Sequence, residues 1–170
     1  YTHAVYSVKE DGSELRTELE VPAQPSGLGW LPDGRLLVVS MKHRTILRLE
    51  DDGSVVVHAD VSAHVTGHPN DMVVDGEGRA WLGNFGFDLM AGADIEPASL
   101  LRIDPDGTVT SVASGLYFPN GSVVTPDGTT LIVDETFGNR ISAFTIHADG
   151  SLGERRDWAR FGDQPSSPSL

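Results

Sequence analysis

Apolar and polar residues alternate with a period of two along most of this chain, and short turns interrupt the alternation. Leu15, Thr17, Leu19 and Val21 stand against Arg16, Glu18 and Glu20, which predicts a half-buried strand over 15–21. Residues 36–41 are apolar apart from Ser40, which predicts a strand buried on both faces. Similar runs predict strands over 4–8, 27–30, 45–49, 55–61, 72–74, 79–83, 99–103, 109–112, 122–125, 130–133, 141–146 and 155–159. Asp-Gly turns separate many of them. In Pro32-Asp33-Gly34 the proline presets one dihedral and the glycine supplies positive φ. No amphipathic helix is predicted anywhere.

The pattern restarts three times. Gln24-Pro25-Ser26-Gly27 leads into Leu28-Gly29-Trp30; His68-Pro69-Asn70-Asp71 leads into Met72-Val73-Val74; Phe118-Pro119-Asn120-Gly121 leads into Ser122-Val123-Val124. The opening prolines are 44 and 50 residues apart, and each unit holds about four short strands. Repeats of that length and content are the mark of a β-propeller. The two leading strands bring the total to about three and a half blades of an all-β fold. Residues 1–162 are read as one partial propeller, with units opening near 25, 69 and 119, and residues 163–170 as a polar, disordered tail. An incomplete ring leaves strand edges open, so self-association or a partner chain completing the propeller is expected. The chain opens at Tyr1 and not at a methionine, which reads as a chain that is processed, trimmed or a piece of something longer.

Charge and composition remove whole classes of function. The 170 residues carry 25 acidic and 12 basic side chains, a formal net charge of -13. That excess argues against nucleic acid and against an anionic membrane surface as partners. No apolar run approaches the roughly 18–20 residues that a membrane helix needs. There is no cysteine, so disulfides, thiolate metal sites and cysteine nucleophiles are excluded. No Gly-x-Ser-x-Gly elbow is present, which argues against a serine hydrolase. A cytoplasmic location is the expectation.

The candidate chemistry lies at the unit openings. An asparagine follows the proline in the second and third units, Asn70 and Asn120, where the first unit has Ser26. Amides repeated at the mouths of strands suit a hard divalent cation or a substrate hydroxyl; they equally suit turn capping. Asn70 and Asp71 are read as the catalytic candidates, Asp71 as a substrate contact or secondary ligand, with plain solvation at the start of the strand as the rival reading of Asp71. Asp134-Glu135 closes a strand, either as an acid–base pair or as a strand-end charge pair. Residues 84–98 form a long, apolar connection carrying Asn84 and Asp88, which either covers a pocket mouth or packs on a neighbouring blade.

Four stretches together carry a resemblance: residues 25–34, Asn70-Asp71-Met72-Val73-Val74-Asp75, Gly83-Asn84-Phe85-Gly86-Phe87-Asp88, and Phe118-Pro119-Asn120-Gly121 with Val124-Thr125-Pro126-Asp127-Gly128. The chain resembles the gluconolactonase-type lactonases, the group containing senescence marker protein (regucalcin) and luciferin-regenerating enzyme. The resemblance implies a six-bladed propeller, one divalent cation (calcium or zinc) near the ring axis, and hydrolysis of a sugar lactone or related cyclic ester. It implies Asn120 as a direct metal ligand, and Asn70 as a residue near the metal and the substrate, with Asp71 beside it. His68 stands where some relatives set an arginine against the substrate; Asn84 and Asp88 are further substrate candidates. The family's glutamate ligand falls ahead of Tyr1. Its aspartate falls just after Phe161, where Gln164-Pro165-Ser166 stands. Two rival readings remain: a non-catalytic propeller binding calcium or a small sugar, and an incomplete propeller that needs a partner chain.

Overall fold

The computed structural model describes residues 2–163; the expected tail from residue 164 onward, with Gln164-Pro165-Ser166, lies outside the described residues. Strands β1 (Ala4–Ser7) and β2 (Arg16–Glu20) form a two-stranded antiparallel ribbon. Three four-stranded antiparallel sheets follow. The first unit is β3 (Pro25–Trp30), β4 (Leu36–Ser40), β5 (Thr45–Leu49) and β6 (Val55–Asp60); the second is β7 (Pro69–Val74), β8 (Ala80–Asn84), β9 (Ala98–Ile103) and β10 (Val109–Leu116). The third is β11 (Pro119–Val124), β12 (Thr130–Glu135), β13 (Arg140–Thr145) and β14 (Arg156–Arg160). In each sheet the strands pair in chain order, and β7 runs between β3 and β11. This is a partial β-propeller: sheets stacked as blades with their first strands side by side.

Period two decides what packs where. In β4, Leu36 and Val38 face Val5, Leu19 and Val21 of the leading ribbon. Leu37 and Val39 point the other way, to Met72, Ala80, Leu82 and Leu101 of the second unit. In β8, Trp81 joins Leu100, Leu131, Val133 and Phe144 between the second and third units. The core is thus a series of apolar slabs between sheets. Full burial of one aliphatic side chain contributes about 1.5–3 kcal/mol, whereas an exposed ion pair such as Arg160–Asp157 is screened by water and contributes far less. The slabs hold the units together.

The aromatic half of the long connection packs on its neighbours. Phe85 and Phe87 join Met41 from the first unit and Phe118 from the third in one buried cluster, with Leu89, Ile95 and Phe137 against it. The Phe85 and Phe118 rings stack at 4.5 Å and 14°. A single 3₁₀ turn, Leu89–Ala91, interrupts the connection; Asp88 accepts a hydrogen bond from the Ala91 N–H at its start, and Gly92 closes it in the left-handed region. The connection therefore ties three units together at the end where their first strands begin.

Candidate functional site

Each first strand opens with the same irregularity. Pro69 pairs with Asn84 and Met72 with Leu82, so two residues, Asn70 and Asp71, oppose the single residue Gly83. Ser26 and Gly27 oppose Val39 in the first unit, and Asn120 and Gly121 oppose Asp134 in the third. A bulge of this kind breaks the strict alternation and re-aims side chains. The residue before the proline has left-handed backbone at Gln24 (φ 69) and Phe118 (φ 57), a costly conformation for a non-glycine residue. Phe118 keeps it inside the aromatic cluster.

The bulges bring neighbouring units into direct contact. Ser26 Oγ donates to the Asn70 carbonyl at 2.9 Å. Asn70 Nδ2 donates to the Pro119 carbonyl at 3.0 Å and, at 3.4 Å, to Asn120 Oδ1. Gly83 is required by this approach: a Cβ there would lie 2.3 Å from the Pro119 carbonyl oxygen and 2.8 Å from Asn70 Oδ1. Gly27 answers the same need in the first unit, since its Cβ would meet the Asn70 carbonyl oxygen at 2.7 Å. The asparagine–proline openings are therefore a latch between units as well as candidate ligands.

Of the residues singled out in the sequence, the structure brings together Asn70, Asp71 and Asn120. Asn70 is buried, and its Oδ1 has no hydrogen-bond partner. Asn120 is half-buried. The Asp71 carboxylate approaches Gly121, 3.9 Å from where a Cβ there would stand. His68 is half-buried, its ring edge-on to Phe85 at 6.1 Å, and its Nδ1 is buried without a partner. Asn84 is 1 % exposed and spends both ends of its amide on the chain, donating to the Ser99 carbonyl at 2.7 Å and accepting from the Gly86 N–H at 3.0 Å. Asp88 is exposed and caps the 3₁₀ turn; it shares no hydrogen bond with the asparagines.

Two carboxylates adjacent in sequence have separate fates. Glu135 is buried at 1 % exposure; it accepts from the Tyr117 N–H at 2.9 Å, from Arg140 Nε at 2.8 Å and from the Ser142 hydroxyl. It anchors the corner that leads into Asn120. Asp134 points to the other face and accepts from Thr136 Oγ1 at 3.2 Å, while Thr136 Oγ1 accepts from Asn120 Nδ2 at 3.1 Å. They form no acid–base pair. Thr136 carries no signal in the sequence; its role follows from its place two residues beyond Asp134, on the same face of the chain.

A groove of about 640 Å³ lies elsewhere: Val74, Asp75, Arg79, Thr125, Asp127 and His147 are among its walls. Val74 and Val124 end the strands that Pro69 and Pro119 begin, so the groove lies about 13 Å from the amides of Asn70 and Asn120, four residues along a strand. Two of its carboxylates are engaged by the chain itself. Asp75 accepts from Arg79 Nε and Trp81 Nε1 and from two backbone N–H groups, those of Glu77 and Arg79, and Asp127 from the Thr125 hydroxyl and the Thr129 N–H.

The donors that Asn70, Asn120 and Asp71 offer are all oxygen: two amide carbonyls and a carboxylate. Among the described residues no group of three or more His, Cys, Asp and Glu is placed to hold a metal, so nitrogen- and sulfur-rich coordination is not offered here. Amide and carboxylate oxygens suit a hard cation of the calcium type, and the unpartnered, buried Asn70 Oδ1 has an acceptor's need for one.

A family model described as SMP-30/Gluconolactonase/LRE-like region matches residues 1–168. A pentonolactonase of Haloferax volcanii is 30% identical over 140 residues, 78% of this chain and 45% of the relative. A gluconolactonase from Xanthomonas campestris superposes with a TM-score of 0.75 at 27% identity, over 92% of this chain and 55% of that one. A calcium-binding protein, regucalcin, from Agrobacterium tumefaciens superposes with a TM-score of 0.73 at 20% identity, over 92% of this chain and 52% of that one. The chain spans about half the length of the relatives it matches.

Proposed function

The chain belongs to the SMP-30/gluconolactonase/LRE-like family, and from that premise we propose that it serves the hydrolysis of a sugar lactone or related cyclic ester, assisted by a divalent cation. The observation that carries the reading is the meeting of Asn70 and Asn120 across two units, with one amide oxygen buried and unpartnered. Asn120 and Asn70 would hold the cation through their Oδ1 atoms. When bound, such a cation polarises a carbonyl and acidifies water. Asp71 would accept the proton of the attacking water, and cleavage of the ring C–O bond would release the hydroxy acid. His68, at the rim beside Phe85, would contact the substrate.

Calorimetric titration of the metal-stripped chain with calcium and then zinc, followed by a glucono-lactone hydrolysis assay with each, tests the proposal. The expected outcome is binding of one cation, weakened at least about tenfold by Asn120→Ala, with turnover that needs it. A wild-type chain that binds no cation and opens no lactone overturns it. Binding without turnover would favour the second reading, a non-catalytic calcium binder, to which the regucalcin likeness and the one carboxylate, Asp71, that the described residues place beside the amides lend support. Self-association or a partner chain completing the propeller belongs to the same proposal, because one carboxylate is little charge for tight binding.

A further inference from the structure

The hydrogen bonds around Asn120 run in one direction only. The Pro119 carbonyl can only accept, so it must receive Asn70 Nδ2 at 3.0 Å. That fixes which end of the Asn70 amide is nitrogen. Its second N–H then faces Asn120 at 3.4 Å, and the atom it meets there must be an acceptor, Oδ1. The Nδ2 end of Asn120 is thereby turned to Thr136 Oγ1 at 3.1 Å. Thr136 accepts that bond and spends its own proton on Asp134 Oδ2 at 3.2 Å. An ionised carboxylate can only accept, and charge-assisted bonds of this kind are about twice as strong as neutral ones. Reversing the Asn120 amide would break the order at both ends: two donors would meet at Asn70, and the hydroxyl would be asked to donate twice.

We infer that Thr136 and Asp134 are positioning residues, which lock the Asn120 amide with its oxygen turned inward toward Asn70 and its nitrogen turned away. The inference rests on the reading of Asn120 as a cation ligand for its functional meaning, but the lock itself is a property of this chain. Asp134 owes its place to the bulge, since it is the residue that Asn120 and Gly121 oppose. The equivalent positions in the other units are Val39 and Gly83, so the carboxylate stands only beside the half-buried amide. Asn70, already fixed by the Pro119 carbonyl, needs no such partner. Thr136 is exposed, so its hydroxyl is not needed to fill the core. A residue that orients a ligand without touching the cation is worth about 10–100-fold in affinity.

The test needs no cation for its first readout. Side-chain amide protons of Asn120 are followed by ¹⁵N NMR in the wild type, Thr136→Val and Thr136→Ser. The expected result is slow solvent exchange and a wide separation of the two amide protons in the wild type and Thr136→Ser. Thr136→Val should lose both, with an unchanged denaturation midpoint. Equal exchange and separation in all three overturns the inference whatever the cation does. The second readout is calcium affinity, expected to fall about tenfold in Thr136→Val and to recover in Thr136→Ser. A lock seen by NMR in a chain that binds no calcium supports the inference and counts against the lactonase reading alone. Unaltered affinity in a Thr136→Val chain that does bind calcium overturns the positioning role.

Discussion

Gly83 decides how closely the second unit approaches the third. It opposes Asn70 and Asp71 across the bulge, and a methyl group there would meet the Pro119 carbonyl oxygen at 2.3 Å and Asn70 Oδ1 at 2.8 Å. The first neighbour is backbone and cannot rotate away, so the strands must separate. Gly83→Ala is expected to cost about 1–3 kcal/mol, the usual range for overpacking, read as a lowered denaturant midpoint. It should also displace the Asn70 amide from Pro119, so the Asn70 side-chain resonances shift while those of the distant Asp75 network stay in place. A variant as stable as the wild type, with unmoved Asn70 resonances, would show that the approach is looser than described. Some of this was legible beforehand. Asn70 and Asn120 stand out because they recur at one place in two units. The work of Asn84 and Glu135 does not stand out, because the partners Ser99, Arg140 and Ser142 become neighbours only through strand pairing.

At the scale of elements, the continuous apolar runs of β4 and β8 marked strands buried at every position, whereas the period-two alternation over 15–21 overstated the burial of β2, where Leu19 alone is buried and the neighbouring Leu15 is 70% exposed. The bulges escaped notice, since one extra residue before a glycine or an aspartate leaves the alternation on either side intact. The contact between β6 and the β9–β10 turn also carries a titratable group. His58 on β6 is buried, and its Nδ1 lies 3.1 Å from Arg48 Nη1. Burial first, then the charges of Arg48 and Arg35, hold its pKa below the ordinary value, while the Asp104 backbone and Asp106 pull the other way. A lowered histidine pKa means that the unfolded chain binds more protons, so this contribution is lost as pH falls below about 6.5. The turn aspartates act lower. The Thr125 hydroxyl holds Asp127 below the usual range and the Ser151 hydroxyl does so for Asp149. Their contribution is complete above about pH 3.9 and disappears as pH falls through their depressed values. Thermal midpoints measured from pH 8 to 3 should therefore fall in two stages, and His58→Gln should remove the upper stage alone. A His58→Gln curve parallel to the wild type between pH 7 and 5 would place that stage elsewhere.

For the whole molecule, two surface properties oppose one another. The first strand of the first unit turns Leu28 and Trp30 outward, with Trp30 60% exposed, beside a groove of about 360 Å³ whose walls include Val5, Tyr6, Leu36 and Leu49. On the last unit Val123 and Trp158 are exposed as well. Apolar side chains on a strand face attract one another. Against this stands the formal net charge of -13, which makes two copies repel over about a Debye length. That length is about 30 Å at 0.01 M ionic strength and about 10 Å at 0.1 M. Salt should thus release the apolar attraction that charge restrains. The weight-average mass in sedimentation is expected to stay near that of one chain at 0.01 M salt and to rise with concentration at 0.5 M. Trp30→Glu removes the largest apolar contribution and adds a charge at an exposed position, so it should suppress the rise without lowering the thermal midpoint. A mass that is independent of salt and the same in Trp30→Glu would mean that this face is inert, and that completion of the ring, if it occurs, uses other surfaces.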